Sequence, residues 1–136
     1  MKIKPLSIAA AAAGLLSLAL SSAAAAGDIY LIANHGTSIT LGDAHDVYLG
    51  DKQFAGSVKL VPVDNSAVQD AFLAKVLKMD AAKYGSAWTK KSFRDGLTPP
   101  AVKGSDIEVI DFVKRSPGAV GYVGSAPAGV DVIGKF

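Results

Sequence analysis

Few residues in this chain have types and spacing that could do chemistry. Two histidines are present, His35 and His45, and there is no cysteine. A zinc-type site needs three or four His, Cys or acidic ligands at short, regular spacing, and neither histidine has such company in the sequence. His35 lies in the turn-forming triplet Asn34-His35-Gly36, and His45 falls on the solvent side of a short helix. No Gly-x-Ser-x-Gly elbow, Walker loop or dinucleotide fingerprint occurs, and no pair of residues reads as an acid and its base. No catalytic residue, metal or cofactor is expected, and enzymatic activity is not expected.

Two segments carry a physical argument for binding. The stretch Asn65-Ser66-Ala67-Val68 opens a helix, and backbone N–H groups at a helix start beside a hydroxyl make a cradle for an anion. The same residues also read as a simple cap, because Ser66 with Gln69 three residues later is a capping-box pattern. Trp88 to Arg94 mixes cations with aromatics, as nucleic-acid contacts do. It reads better as the end of a helix with Trp88 and Phe93 in the core and its cations in water.

Charge decides against nucleic acid. The first 26 residues have the form of a secretory signal. Lys2 and Lys4 precede an apolar run from Leu6 to Leu20, and small residues up to Ala26 offer a cleavage site before Gly27. Without that segment twelve basic residues face twelve acidic ones, so no basic field is left for a phosphate backbone. The remaining residues, 27–136, suit one domain with a single core. Export without cysteine fits a bacterial periplasm better than a disulfide-bonded secreted domain.

Apolar periodicity and turn signals lay out the elements that would position these residues. Ile29 to Ala33 is a continuous apolar run, suited to a strand covered on both faces. Thr40 caps a short helix through Tyr48, which Gly50 ends, and Lys59 to Val63 is a second strand. The helix from Ser66 repeats Val68, Phe72 and Val76 every four residues. Asp80 caps another helix to Phe93, and Arg94 to Gly104 reads as a loop around Pro99-Pro100. Ser105 with Glu108 opens a helix whose apolar side is Ile107, Ile110 and Val113. Ala119 to Val123 and Val130 to Ile133 are the closing strands. Alternating strands and helices imply parallel pairing by right-handed crossovers. The expected fold is α/β, a three-layer sandwich with a small, mostly parallel sheet flanked by helices.

Several phrases together resemble a family. They are Ile-Thr-Leu-Gly-Asp-Ala-His-Asp-Val-Tyr-Leu-Gly (39–50), Val-Pro-Val-Asp-Asn-Ser-Ala-Val-Gln-Asp-Ala-Phe (61–72), Gly-Ser-Asp-Ile-Glu-Val-Ile-Asp-Phe-Val (104–113) and Ser-Pro-Gly-Ala-Val-Gly-Tyr-Val (116–123). In order, they resemble the second lobe of phosphate ABC-transporter substrate-binding proteins, in a short single-lobe form. The resemblance implies a type 2 periplasmic-binding-protein lobe over 27–136, a periplasmic location, and phosphate or another small anion held at Asn65, Ser66, Ala67 and Val68. It leaves open whether a membrane permease is engaged. The family's Ser-Gly-Thr falls on Ser66, Ala67 and Val68, where only the serine matches. Its loop arginine has no counterpart among Pro62, Val63, Asp64 and Asn65, and Gln69 stands where short relatives often carry an arginine. Asp64 is expected to repel an anion. The alternative function is a non-catalytic interaction or scaffold module that has lost phosphate binding and docks a protein partner or a second copy. That alternative expects an apolar patch, with Tyr48, Trp88 or Tyr122 at the surface.

Overall fold

A computed structural model describes residues 27–136, so the segment read as a signal lies outside the described residues. The strands are β1 (Tyr30–Ala33), β2 (Phe54–Ala55), β3 (Val58–Lys59), β4 (Val61–Asn65), β5 (Ala101–Lys103), β6 (Ala119–Val123) and β7 (Asp131–Lys135). A 3-10 turn, Leu41–Asp43, leads into α1 (Ala44–Tyr48). Helix α2 (Gln69–Phe72) widens into a π turn over Leu73–Leu77, and α3 (Ala81–Asp95) and α4 (Asp106–Arg115) are the longer helices.

Five strands form one sheet in the order β5-β4-β6-β1-β7, and β2 and β3 make a separate hairpin. Strand β4 pairs in parallel with β5 and β6, whereas β1 pairs antiparallel with both β6 and β7. Four of the five strands therefore point the same way and β1 alone runs against them. The mostly parallel sheet is as expected, but the rule of parallel crossovers fails at β1. A short apolar run buried on both faces reads identically in either direction, so its sequence carries no sign of the reversal.

Helices cover both faces. On one side Leu31, Ala33, Val120 and Tyr122 pack with Tyr48, Phe72, Leu73, Tyr84 and Trp88 from α1, α2, the π turn and α3. On the other, Ile32, Val63, Ala119 and Val123 pack with Val109 and Val113 from α4. The alternation of Leu31, Ile32 and Ala33 between the two cores is the period of two of a central strand. At Gly121 a Cβ would stand 2.5 Å from Val109 Cγ1, so the missing side chain lets α4 lie directly on β6. Gly118, at φ +80°, is tighter still, because a Cβ there would run into the Lys59 carbonyl.

Two caps form where the sequence places them. Asp80 accepts from Lys83 N at 2.8 Å, and Ser105 Oγ accepts from Glu108 N at 3.3 Å. Two apolar faces differ from expectation. Phe93 is 88% exposed rather than in the core, and Ile107 is 78% exposed rather than on the apolar side of α4. At about 100° per residue, Phe93 sits roughly 180° round the helix from buried Tyr84, and Ile107 about 160° round from buried Val109. Strand β5 lies inside the stretch read as a loop. It has three residues and pairs only with β4, so it lacks the length that makes a strand visible in sequence. The second strand also sits two residues further along than expected, at Val61–Asn65.

Candidate functional site

The chain leaves β4, β5 and β6 at the same end of the sheet, and the four residues expected to hold an anion lie in the turn after β4. Asn65 ends that strand and is wholly buried. Its Oδ1 accepts from Ala67 N at 3.0 Å, an Asx turn, while its Nδ2 donates to the Tyr122 carbonyl at 3.0 Å and to Asp106 Oδ1 at 2.8 Å. Ser66 is exposed, and its N–H donates to the Lys103 carbonyl at 2.9 Å, prolonging the β4–β5 ladder. Val68 N donates back to the Asn65 carbonyl at 3.1 Å. The backbone donors of Ser66, Ala67 and Val68 are thus all bonded within the chain.

Helix α2 consequently starts later than expected. Its first helical residue is Gln69, and Val68, at φ −134°, occupies the N-cap with no side-chain hydrogen bond. The Ser66–Gln69 capping box does not form. The reason is Asn65, whose side chain holds Ala67 N in a turn and so delays the helix by two residues. What stands beside this turn is a carboxylate. Asp106, in the first turn of α4, takes Asn65 Nδ2 on one oxygen and Gly124 N, at 3.1 Å, on the other. One side chain thereby ties the ends of β4 and β6 to the start of α4. An acid one residue past a serine cap was the available sequence signal, although it reads there only as a partner for the helix dipole.

Asp64 is placed differently from its expected role. One residue earlier on β4, it points to the opposite face of the sheet and is 1% exposed. Tyr122 OH donates to its Oδ1 at 2.7 Å and Tyr84 OH to its Oδ2 at 2.8 Å. Burial pushes its carboxyl above the usual aspartate range, and the two tyrosines and Gln69 offset that in part. Burial and the neighbouring carboxylate raise both tyrosine hydroxyls in turn, so they stay protonated donors. Next to them the Tyr122 and Phe72 rings stack at 3.8 Å between centroids, and Tyr48 meets Phe72 edge-on at 4.8 Å.

Tyr48, Trp88 and Tyr122 are all buried, so the apolar patch expected of an interaction module is not made by them. Their polar ends have internal partners: Tyr48 OH donates to the Val63 carbonyl at 2.8 Å and Trp88 Nε1 to the Tyr48 carbonyl at 3.1 Å. The exposed large apolar residues include Phe54, Phe93, Val102 and Ile107. His35 Nδ1 meets Asp131 Oδ1 at 2.6 Å at the surface, and His45 lies 3.4 Å from Asp46. Among the described residues no three His, Cys, Asp or Glu side chains gather as a metal ion would need. Nor is any described helix long and apolar enough to cross a membrane. No protein-family model and no curated protein matches the chain.

Proposed function

We propose that this chain is a non-catalytic, periplasmic lobe of the kind found in phosphate-uptake substrate-binding proteins that has lost phosphate capture. The family part of this reading rests on the phrases at 39–50, 61–72, 104–113 and 116–123. The α/β architecture, with helices on both faces of the sheet, is compatible with it.

The observation that carries the loss of phosphate capture is the turn after β4. An anion site there needs N–H groups aimed outward and a cation to meet the charge. Here the donors of Ser66, Ala67 and Val68 serve the chain's own oxygens, and the group beside them is the Asp106 carboxylate. The basic residue that ends β5, Lys103, lays its ammonium over the Phe112 ring at 4.7 Å from the centroid.

Isothermal titration of the purified protein with phosphate at low salt tests the reading, with Ser66→Ala as control. Heats no larger than dilution up to millimolar phosphate are expected. Saturable heat at micromolar phosphate, abolished by Ser66→Ala, would overturn the proposal and return the chain to anion transport.

A further inference from the structure

A cleft of ≈ 420 Å³ opens between α3 and the chain around β5, on the face of the sheet away from Asp106. That volume lies within the range of small-molecule sites, about 300–1,000 Å³. Its walls are mostly apolar: Tyr84, Trp88 and Phe93 from α3 face Pro99, Pro100 and Val102. The buried Asp64 carboxylate is in its floor, and no lysine or arginine lines it. None of the ion pairs among the described residues includes Asp64 either. At the mouth, Phe93 is 88% exposed and Val102 59% exposed.

These features have one chemical complement. A buried carboxylate held only by neutral donors carries an uncompensated charge when it ionises, and a cation beside it would offset the cost of that charge. Each oxygen accepts from one tyrosine and Gln69 also hydrogen-bonds the carboxyl, so of the roughly four acceptor directions of a carboxylate one is left for a further donor. The aromatic and proline walls would take an apolar body, and the Tyr84 and Trp88 rings favour positive charge near their faces. We propose that this cleft binds a small primary ammonium ion with an aromatic or branched aliphatic body, its nitrogen directed to Asp64 and its body between Trp88, Phe93 and Pro99. The inference stands on the cleft alone, whichever way the phosphate titration falls.

Trp88 is the chain's single tryptophan and lines the cleft, so its fluorescence reports occupancy directly. The purified protein would be titrated with 2-phenylethylamine, with 2-phenylethanol and with 3-phenylpropionate, and amide NMR shifts would locate any response. The expected result is a saturable change with the amine, centred on α3 and β5, and binding of the alcohol and the acid at least about tenfold weaker, as losing one charge-assisted hydrogen bond implies. Phe93→Ala, at an exposed position, should weaken the amine severalfold and leave the melting temperature unchanged. Asp64→Asn should abolish the preference for amine over alcohol. If that variant does not fold, the three-ligand comparison on the unaltered protein and Phe93→Ala decide the matter. Equal responses to amine and alcohol, shifts located elsewhere, or no saturable change in the millimolar range would overturn the proposal.

Discussion

Asp106→Asn tests whether one carboxylate holds this end of the sheet together. The substitution keeps the shape of the side chain and removes its charge. An asparagine offers one carbonyl oxygen where the carboxylate offers two, and both present partners, Asn65 Nδ2 at 2.8 Å and Gly124 N at 3.1 Å, are donors. One of them must then face an NH₂ group. Asn65 is fully buried and cannot turn to water, although its Nδ2 keeps the Tyr122 carbonyl. Losing one hydrogen bond to a charged acceptor costs about 1.5–3 kcal/mol, and the half-exposed setting of Asp106 favours the lower part of that range. Removing an acid from the first turn of α4 adds roughly 0.3–1 kcal/mol. The total is about 2–3 kcal/mol, which for a domain of this size lowers the melting temperature by about 8–12 °C. Thermal unfolding followed by circular dichroism reads this directly. Glu108→Gln, an exposed acid on the same turn, serves as the control for the dipole term alone and should cost about 0.3–1 kcal/mol. A melting temperature for Asp106→Asn equal to that of the control would mean that water, and not Asn65 and Gly124, satisfies the carboxylate.

Two further outcomes follow from the packing and from the buried acid. Gly121→Ala places a methyl group 2.5 Å from Val109 Cγ1 and 3.2 Å from Val113 Cγ2, so α4 must shift; a loss of about 1–3 kcal/mol is expected in urea unfolding, against none if the helix sits more loosely. For Asp64 the sign follows from its raised carboxyl: the folded state holds the proton more tightly than the unfolded chain, whose value is near 3.8. Stability from this group is therefore present at low pH and is lost as pH rises through the folded value. The melting temperature of Asp64→Asn relative to the parent should climb from about pH 4 upward and then level off, and a difference that falls over the same range would show that Asp64 is stabilised by charge in the folded state.

Much of the architecture was legible because helix caps and apolar repeats are local. Asp80 and Ser105 cap the helices they were expected to cap, and the strand at Ala119–Val123 falls where its apolar run lies. Errors arose where a property belongs to a partner and not to the segment. Phe93 and Ile107 looked apolar enough for the core, but which helix face is buried is set by Tyr84 with Trp88 and by Val109 with Val113, each pair four residues apart. Strand β5 exists because β4 offers an edge to it, and the reversal of β1 is a choice of neighbours. The turn after β4 failed for the same reason. Ser66 had the better capping pattern, yet the buried Asn65 took the neighbouring N–H, and its place is fixed by Tyr122 and Asp106, 57 and 41 residues away.

Strand periodicity explains how two carboxylates come to dominate one end of this sheet. Asp64 and Asn65 are adjacent on β4, so their side chains leave the strand on opposite faces. Asp64 meets Tyr84 and Tyr122 on the α3 side, and Asn65 meets Asp106 on the α4 side. An anion approaching the end of β4 therefore finds a carboxylate on either face. No arginine stands in the segment 61–72 to offset them. The two acids nevertheless differ in what they can still do. Asp106 has charged-acceptor bonds to two donors of its own chain and acts as a fastener. Asp64 has only neutral donors, the Tyr84 and Tyr122 hydroxyls and Gln69, and lies at the floor of a cleft where burial resists its charge. This end of the sheet thus presents acids where an anion site would need a cation, and Asp64 is the acid with capacity left for a ligand.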